Sequence, residues 1–236
     1  EVDAILGNNT DDKILDAVDE ALAGHQMLDC ADLVGLPEVD TDRILTTGGH
    51  YAYLKIAEGC NKRCTYCIIP SLRGNYRSFP MEKLVEQAQK LAEKGVKELI
   101  LVAQETTLYG IDLYGKKSLH ELLNRLCEIP GIYWIRILYC YPEEIYPELI
   151  ETMKKQPKVC HYLDLPIQHC SDAVLKAMNR RGDKAYLAEL FARLRARIPG
   201  LVLRTSIIAG LPYEDEAAFE ELCDFLREQK QLHPRR

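Results

Sequence analysis

Five strand-like runs separated by long intervals set the strongest limit on the fold of this chain. The runs are rich in β-branched, aromatic and Leu residues, and they are YAYLKIA (51–57), ELILVA (98–103), YWIRILY (133–139), HYLDL (161–165) and LVLRTSIIA (201–209). Their starts are 47, 35, 28 and 40 residues apart. Such intervals are too long for hairpins and suit strand–helix–strand crossovers. The sequence therefore predicts an α/β fold with a parallel sheet, either open or closed into a barrel.

Helical periodicity occupies the intervals between these runs. In 81–94 the apolar residues share one face, with Pro80 at the start and Gly95 at the end. The same pattern occurs in 185–198. In 214–228 three carboxylates stand in the first turn, where they favour the positive end of a helix dipole.

The first 48 residues read differently from the rest. Apolar residues at helical spacing predict a short helix at 14–22, and the mixed, polar stretch from Gly24 to Gly49 predicts a linker. So short a segment cannot bury a core of its own. We therefore predict a remnant of another domain plus a linker over 1–48 and a core domain over 49–236, truncated near its last strand.

Composition limits the functional class. The 30 basic and 36 acidic residues give a net charge of −6, which argues against a free-standing nucleic-acid binder. No uncharged apolar run reaches the roughly 18 residues that a membrane span requires. The nine cysteines are an odd number, and the acidic, polar start does not resemble a signal peptide. These features predict a cytoplasmic protein in which clustered cysteines bind metal or do redox work.

The clustered cysteines lie in EGCNKRCTYCIIP, directly after the first predicted strand. Cys60, Cys64 and Cys67 have the spacing Cys-x3-Cys-x2-Cys. In α/β proteins this end of a strand carries the ligand-binding loops. Three thiolates on one loop can hold three irons of a 4Fe–4S cubane, which leaves the fourth iron open to a substrate.

Zinc is the main alternative for this motif, because thiolate zinc sites also use short spacings. His169 or Cys170 could then supply a fourth ligand, although no second cysteine pair of the kind usual in zinc sites is present. A thiol-exchange site is a third interpretation. The scattered cysteines are interpreted as small apolar or linker residues, and they are Cys30, Cys127, Cys140, Cys160, Cys170 and Cys223. Arg180 and Arg181 are predicted to lie on an exposed helix face.

The cysteine motif after a first strand, with Tyr66 at its penultimate position, resembles the radical S-adenosylmethionine (SAM) superfamily. The resemblance implies a partial (β/α)6 barrel and a SAM molecule bound to the open iron through its amino and carboxylate groups. It also implies that one electron from the cluster cleaves SAM to a deoxyadenosyl radical, which abstracts hydrogen from an unactivated carbon.

Four stretches narrow the resemblance to the methylthiotransferases: KIAEGCNKRCTYCIIPSLRGNYRS, AQETTLYGIDLYG, YLDLPIQHCSD and LRTSIIAGLP. The run from Gln104 to Gly110 is similar to the ribosomal-protein branch, with Glu105 where that branch has Asp. This implies insertion of a methylthio group at an aspartate β-carbon of small-subunit ribosomal protein twelve. The tRNA branch and a non-catalytic, zinc-stabilised binding module are the alternatives.

The same resemblance implies further partners and domains. An electron donor such as flavodoxin or ferredoxin would reduce the cluster. A second 4Fe–4S cluster is expected on an N-terminal domain that is largely outside this sequence, and a C-terminal β domain would help to hold the substrate. Neither a membrane nor direct nucleic-acid binding is expected for the present chain.

Carried over residue by residue, the resemblance assigns the cluster to Cys60, Cys64 and Cys67. It places Tyr66 against the SAM adenine, where an aromatic face suits a purine. Gln104 would approach the SAM amino group.

The later strands carry the remaining predicted SAM contacts. Asp164 and Gln168 would face the ribose or the substrate, and Arg204 would pair with the SAM carboxylate. Gly210 would let the backbone approach the cofactor. The alternative interpretations are ordinary: a strand-end hydrogen bond for Asp164, an ion pair with a core carboxylate for Arg204, and a simple turn at Gly210.

Overall fold

The computed structural model describes residues 2–8, 10–30, 33–36 and 44–231. Near the N-terminus, strands β1 (Ala4–Leu6) and β2 (Met27–Asp29) pair in parallel, and helix α1 (Ile14–Leu22) connects them. The predicted helix is confirmed, but the predicted linker is wrong at β2, because three residues are too few to show a strand period. Residues 31–32 and 37–43 of that predicted linker lie outside the described residues.

The remaining elements follow in chain order. They are β3 (Tyr51–Lys55), β4 (Ala57–Glu58), α2 (Ile69–Arg73), β5 (Arg77–Ser78), α3 (Met81–Glu93), β6 (Glu98–Val102), α4 (Ile111–Tyr114), α5 (Leu119–Cys127), β7 (Trp134–Ile137), α6 (Pro147–Lys155), β8 (Val159–Asp164), α7 (Asp172–Ala177), α8 (Lys184–Arg197), β9 (Val202–Arg204) and α9 (Glu216–Gln231). The helices predicted over 81–94, 185–198 and 214–228 are confirmed as α3, α8 and α9.

The main sheet contains the five predicted strands in the order β3-β6-β7-β8-β9, and every neighbouring pair is parallel. Spatial order therefore equals chain order, as in a barrel built from successive βα units. Among the described strands, β3 and β9 do not pair with each other, so the sheet is open. The prediction of an α/β fold with a parallel sheet is confirmed.

One layer of apolar side chains crosses the sheet just below the ends of its strands. The register pairs join Leu54 to Leu101, Leu101 to Ile137, Ile137 to Leu163 and Leu163 to Leu203. The first four of these residues are almost fully buried. Because the sheet is parallel, all five strands end at the same edge, so this layer forms an apolar floor beneath the loops at that edge.

Strands β4 and β5 form a small antiparallel ribbon beside the main sheet, with Glu58 opposite Arg77. The ribbon brings the chain back toward α3 after the cysteine loop. Over the described residues, no helix combines the length and apolarity that a membrane span requires.

Candidate functional site

A cavity of about 190 Å³ opens at the carboxyl edge of the sheet. Its lining comes from the loops after β4, β6, β7 and β8, from the start of α2 and from the turn after α7. The lining residues are Cys60, Lys62, Cys64, Tyr66, Cys67, Ile69, Gln104, Glu105, Tyr139, Cys140, Tyr141, Pro166, Gln168 and Arg180. The three cysteines that sequence analysis singled out therefore share one cavity.

Backbone geometry fixes where the cysteine loop begins. Gly59 has φ +78°, and a Cβ at this position would overlap the carbonyl oxygen of Asn75. Only glycine fits such a close approach. The neighbouring Cys60 N–H donates to the Gly74 carbonyl at 3.2 Å, which bonds the start of the loop to the end of α2.

The far side of the cysteine loop is bonded to the end of α7. Thr65 donates from its N–H to the Met178 carbonyl at 3.2 Å and from its hydroxyl to the Ala177 carbonyl at 3.0 Å. The Asn179 side chain donates to the Arg63 carbonyl at 3.0 Å. These three hydrogen bonds hold the loop over the cavity with its cysteines facing inward.

A single zinc ion and a 4Fe–4S cluster place different demands on the three cysteine side chains. Among the described residues, no three His, Cys, Asp or Glu side chains are close enough together to hold one metal ion. A cubane binds each thiolate at a different iron, so its ligands stand farther apart than the ligands of a single zinc. The three cysteines that line the cavity supply the three thiolates that such a cluster needs, one for each of three irons.

The two residues considered as a fourth zinc ligand are placed elsewhere. His169 is fully buried, its Nδ1 accepts from the Ser171 N–H at 3.0 Å, and its Nε2 lies 3.4 Å from a Glu214 carboxylate oxygen. Cys170 is buried in the core, where burial raises the pKa of its thiol to about 12. Neither side chain lines the cavity.

Three of the predicted SAM contacts, Tyr66, Gln104 and Gln168, line the cavity with the cysteines. The Gln104 amide nitrogen donates to Glu58 at 3.4 Å, while its oxygen is buried with no hydrogen-bond partner. Gln168 has φ +71°, and its N–H donates to the Ser206 carbonyl at 3.0 Å, which joins the loop after β8 to the segment after β9. Their roles toward SAM stay predictions.

Asp164, Arg204 and Gly210 do not line the cavity. Arg204 Nη1 donates to the fully buried Asp164 at 2.7 Å, and the Tyr139 N–H donates to the other oxygen of that carboxylate at 3.3 Å. Arg204 and Asp164 are register partners on β9 and β8. The structure thus shows the ion pair that sequence analysis gave as the alternative for Arg204.

Gly210 has φ +81°, and its N–H donates to a Glu214 carboxylate oxygen at 2.5 Å. A Cβ at this position would meet no atom within 4 Å. The left-handed backbone alone accounts for the glycine, so a close approach of the backbone to a ligand is not needed to explain it.

Sequence analysis missed the role of Glu105, a buried carboxyl in the cavity wall. It accepts hydrogen bonds from the Thr107 N–H at 2.9 Å, from the Thr107 hydroxyl and from the Tyr141 N–H at 3.4 Å. Burial is the main cause that raises its pKa to about 7, and the charge of Lys62 partly offsets this. Its place directly after Gln104 at a strand end was the available signal.

Arg180 is a second residue that sequence analysis misplaced. The prediction of an exposed helix face is wrong for it, because its side chain is 4% exposed, whereas that of Arg181 is 76% exposed. The Arg180 guanidinium lies 3.9 Å from the Tyr141 ring centroid, and its Nη2 donates to the Pro166 carbonyl at 2.9 Å. Its Nε has no partner. Lys62 also contacts the Tyr141 ring, at 4.3 Å.

Backbone strain gathers at the same edge of the sheet. Four described residues other than glycine have positive φ, and they are Arg63, Tyr139, Gln168 and Asn179. Two of them line the cavity, and the other two belong to the bonded contact between the cysteine loop and the end of α7. Residues held in this conformation cost roughly 1–3 kcal/mol each and cluster at functional sites.

The geometry agrees with comparisons to known proteins. A model described as the radical SAM superfamily matches residues 54–226, most of the chain and all five strands of the main sheet except the start of β3. The chain belongs to the radical SAM superfamily. The predicted cofactors, one 4Fe–4S cluster on this chain and SAM, are those of this superfamily, so that prediction is confirmed.

Curated relatives give a narrower similarity. The chain is 57% identical to the ribosomal protein uS12 methylthiotransferase RimO of Lachnoclostridium phytofermentans, over 98% of the chain and 52% of the relative. It is 49% identical to the protein of the same name from Clostridium tetani, again over 98% and 52%. The chain thus spans about half the length of the curated relatives it matches.

Solved structures support the fold. The radical SAM methyltransferase TsrM from Kitasatospora setae, bound to tryptophan and a SAM analogue, superposes with a TM-score of 0.61 at 16% identity, over 77% of this chain and 34% of that one. The cobalamin-dependent SAM radical enzyme OxsB superposes with a TM-score of 0.59 at 17% identity, over 74% and 26%. At these identities the likeness shows a shared radical SAM fold.

Proposed function

We propose that this chain is the radical SAM core of a methylthiotransferase that acts on ribosomal protein uS12. The observation that carries the proposal is one cavity that combines three loop cysteines, a buried acceptor without a partner on Gln104 and a buried cation on Arg180. The curated relatives with 47–57% identity bear the name of that activity. Replacement of a C–H hydrogen of an aspartate side chain by a methylthio group is the proposed reaction.

The residues present fit a cluster and SAM. Cys60, Cys64 and Cys67 would hold the cluster. The unpartnered oxygen of Gln104 suits a donor such as the SAM amino group, and the exposed ring of Tyr66 at the cavity suits the adenine. When bound, a 4Fe–4S cluster with SAM supplies a carbon radical that removes hydrogen from a substrate carbon.

The SAM carboxylate requires a cation inside the cavity. Arg204 donates to Asp164 outside the lining, whereas Arg180 lines the cavity. The Arg180 Nη2 donates to the Pro166 carbonyl and lies 3.9 Å from Glu143, and its Nε has no hydrogen-bond partner. A guanidinium recognises a carboxylate through parallel N–H donors. We therefore assign the carboxylate to Arg180, in place of the expectation for Arg204.

The remaining cavity residues hold the site in shape. Glu105 bonds the segment after β7 to the loop after β6 through the Tyr141 N–H. The apolar floor beneath them excludes water from the lower side of the cavity, and a dry environment strengthens the hydrogen bonds that orient a charged ligand.

The tRNA branch is the second candidate for the substrate. The Gln104–Gly110 run and the names of the curated relatives favour the ribosomal protein. The flavodoxin or ferredoxin electron donor, the cytoplasmic location and the second cluster stay predictions of the resemblance.

Two measurements test the proposal. Anaerobic reconstitution of this chain is expected to give about four irons and four sulfides per chain, with a visible spectrum that shifts when SAM is added. The full-length enzyme is then supplied with ribosomal protein uS12 or with tRNA, together with SAM and a reductant. Methylthiolated aspartate found by mass spectrometry supports the proposal, while modified tRNA alone, or stoichiometric zinc without a cluster, contradicts it.

A further inference from the structure

Glu58 is a buried carboxylate beside the cavity to which the proposed cofactor chemistry assigns no role. It ends β4, two residues before the first cluster cysteine, and is 1% exposed. Lys55 forms an ion pair with it, and Arg73 Nη1 lies 3.5 Å from it. Both carboxylate oxygens of Glu58 therefore face N–H donors of cationic side chains, so both act as hydrogen-bond acceptors.

This acceptor decides how the neighbouring Gln104 amide is turned. An amide side chain has a donor end and an acceptor end, and which end points where follows from its partners. Glu58 lies 3.4 Å from the nitrogen of Gln104. The reverse orientation would place the amide oxygen against a carboxylate oxygen that already faces the Arg73 guanidinium, so that two acceptors would meet.

The fixed orientation leaves the Gln104 oxygen for a ligand. That oxygen is buried and has no partner in the described part of the chain, while the residue lines the cavity with the cysteines. A buried acceptor without a partner is unfavourable, and a bound donor would relieve that cost. Of the two polar groups at the amino-acid end of SAM, only the amino group carries N–H donors.

We propose that Glu58 is a positioning residue: it holds the Gln104 amide so that its oxygen accepts a hydrogen bond from the amino group of SAM. This inference rests on the proposed binding of SAM in the cavity. It also explains why a carboxylate is buried at the start of the cysteine loop, where an apolar residue would pack without the desolvation cost of a charge.

The test uses SAM affinity of the reconstituted chain, measured by anaerobic equilibrium dialysis and expressed per cluster-loaded chain. Glu58→Gln keeps the shape but adds a donor, so the Gln104 amide can turn its nitrogen to the cavity. We expect the Kd for SAM to rise about tenfold with cluster content unchanged. Gln104→Met removes the acceptor without touching Glu58 and is expected to give a similar rise.

The double variant Glu58→Gln with Gln104→Glu separates orientation from general packing. This variant exchanges the carboxylate and the amide between the two positions. The carboxylate at position 104 can then only offer an acceptor to the cavity, and the amide at position 58 donates to that carboxylate. We expect its Kd to return to within about threefold of wild type. A SAM analogue without the amino group should bind wild type and Glu58→Gln equally, because the contact in question is absent.

Glu98→Gln is the matched control, because Glu98 is a half-buried carboxylate on β6 that pairs with Arg136 at 2.7 Å at the other end of the sheet. Its SAM affinity should equal that of wild type. Three outcomes would overturn the inference. Glu58→Gln could bind SAM as tightly as wild type, the double variant could fail to recover affinity, or Glu58→Gln could lose the cluster while the other variants keep it. Failure of the wild-type chain to bind a cluster or SAM would instead overturn the proposed function.

Discussion

The carboxyl edge of the sheet has two halves whose polar side chains differ in what they contact. In the cavity half, formed by Cys60–Cys67, Gln104–Glu105 and Arg180, the Gln104 oxygen and the Arg180 Nε are buried without partners. In the paired half, Asp164 and Arg204 bond to each other. Both halves look alike in sequence, with polar residues at strand ends, and only the contacts in the structure separate the groups that line the cavity from the groups that bond to each other.

The largest effect is expected when a cluster ligand is removed from the cavity half. Cys64→Ala is expected to abolish cluster uptake, because only two cysteines of the loop remain. Cys140→Ala is the matched control, since Cys140 lines the same cavity but is fully buried and outside the loop. Iron and sulfide analysis after reconstitution checks both, with about four irons expected for the control alone. Equal iron in the two variants would contradict the assignment.

The buried carboxyl of Glu105 gives the next largest effect, on stability against pH. Its pKa is about 7 in the folded chain against an ordinary value of 4.5, so the folded state binds more protons between these pH values. Stability is then greatest below about pH 4.5 and falls as the pH rises toward 7, by roughly 3 kcal/mol in total. The neighbouring titratable groups are Lys62, the thiols of Cys60 and Cys140, and the Tyr76 hydroxyl.

Glu105→Gln isolates that contribution, because the amide oxygen can still accept from the Thr107 and Tyr141 N–H groups. Urea unfolding of the cluster-free wild type and variant at pH 5 and pH 8 provides the measurement. Between these pH values the wild type should lose about 2–3 kcal/mol relative to the variant. Parallel pH profiles would show that Glu105 ionises normally in the folded chain.

The paired half is tested by Asp164→Asn, which keeps the shape and removes the charge that Arg204 contacts. Stability is expected to fall by about 1–2 kcal/mol, because hydrogen bonds to a charged group become neutral ones. Since Asp164 lies outside the cavity lining, SAM affinity should not change. Urea unfolding and equilibrium dialysis on the same preparation check both statements. If Asp164→Asn instead lost SAM affinity at unchanged stability, Asp164 would be a ligand-binding group and not a structural one.

The smallest expected effect is a change in SAM affinity when Arg180 or Arg204 is replaced. Arg180→Gln should weaken SAM binding about tenfold, since it removes the cation assigned to the SAM carboxylate. Arg180→Lys, which keeps the charge without the planar fork, should recover part of that loss. Arg204→Gln is the control, with a change of less than about twofold expected. The assignment fails if Arg204→Gln weakens binding more than Arg180→Gln.

Local pattern was sufficient to predict the strands and the cluster motif, because both depend on residues close together in the chain. The pairing of Asp164 with Arg204 depends on the register between β8 and β9, which are joined through two helices. Arg180 and Arg181 are adjacent and chemically identical, yet only Arg180 is buried. The conformation of the turn after α7 decides which of the two side chains is buried. Helical and strand periodicity do not cover a turn, so the sequence pattern could not predict it.

The burial and the partners of Glu105 and Glu58 were not predicted for a related reason, although the place of Glu105 after Gln104 at a strand end pointed to it. Each is an acidic residue next to a motif, and nothing in its immediate neighbours shows that it is buried. Their partners come from other strands and loops: Tyr141 for Glu105, and Gln104 for Glu58. Such contacts require the assembled sheet edge.

The three hydrogen bonds between the cysteine loop and the end of α7 have a consequence for how a damaged cluster is replaced. Thr65 and Asn179 bond the loop to the end of α7 through protein groups. We therefore expect the chain to take up a new cluster from iron, sulfide and reductant under folding conditions, without prior unfolding.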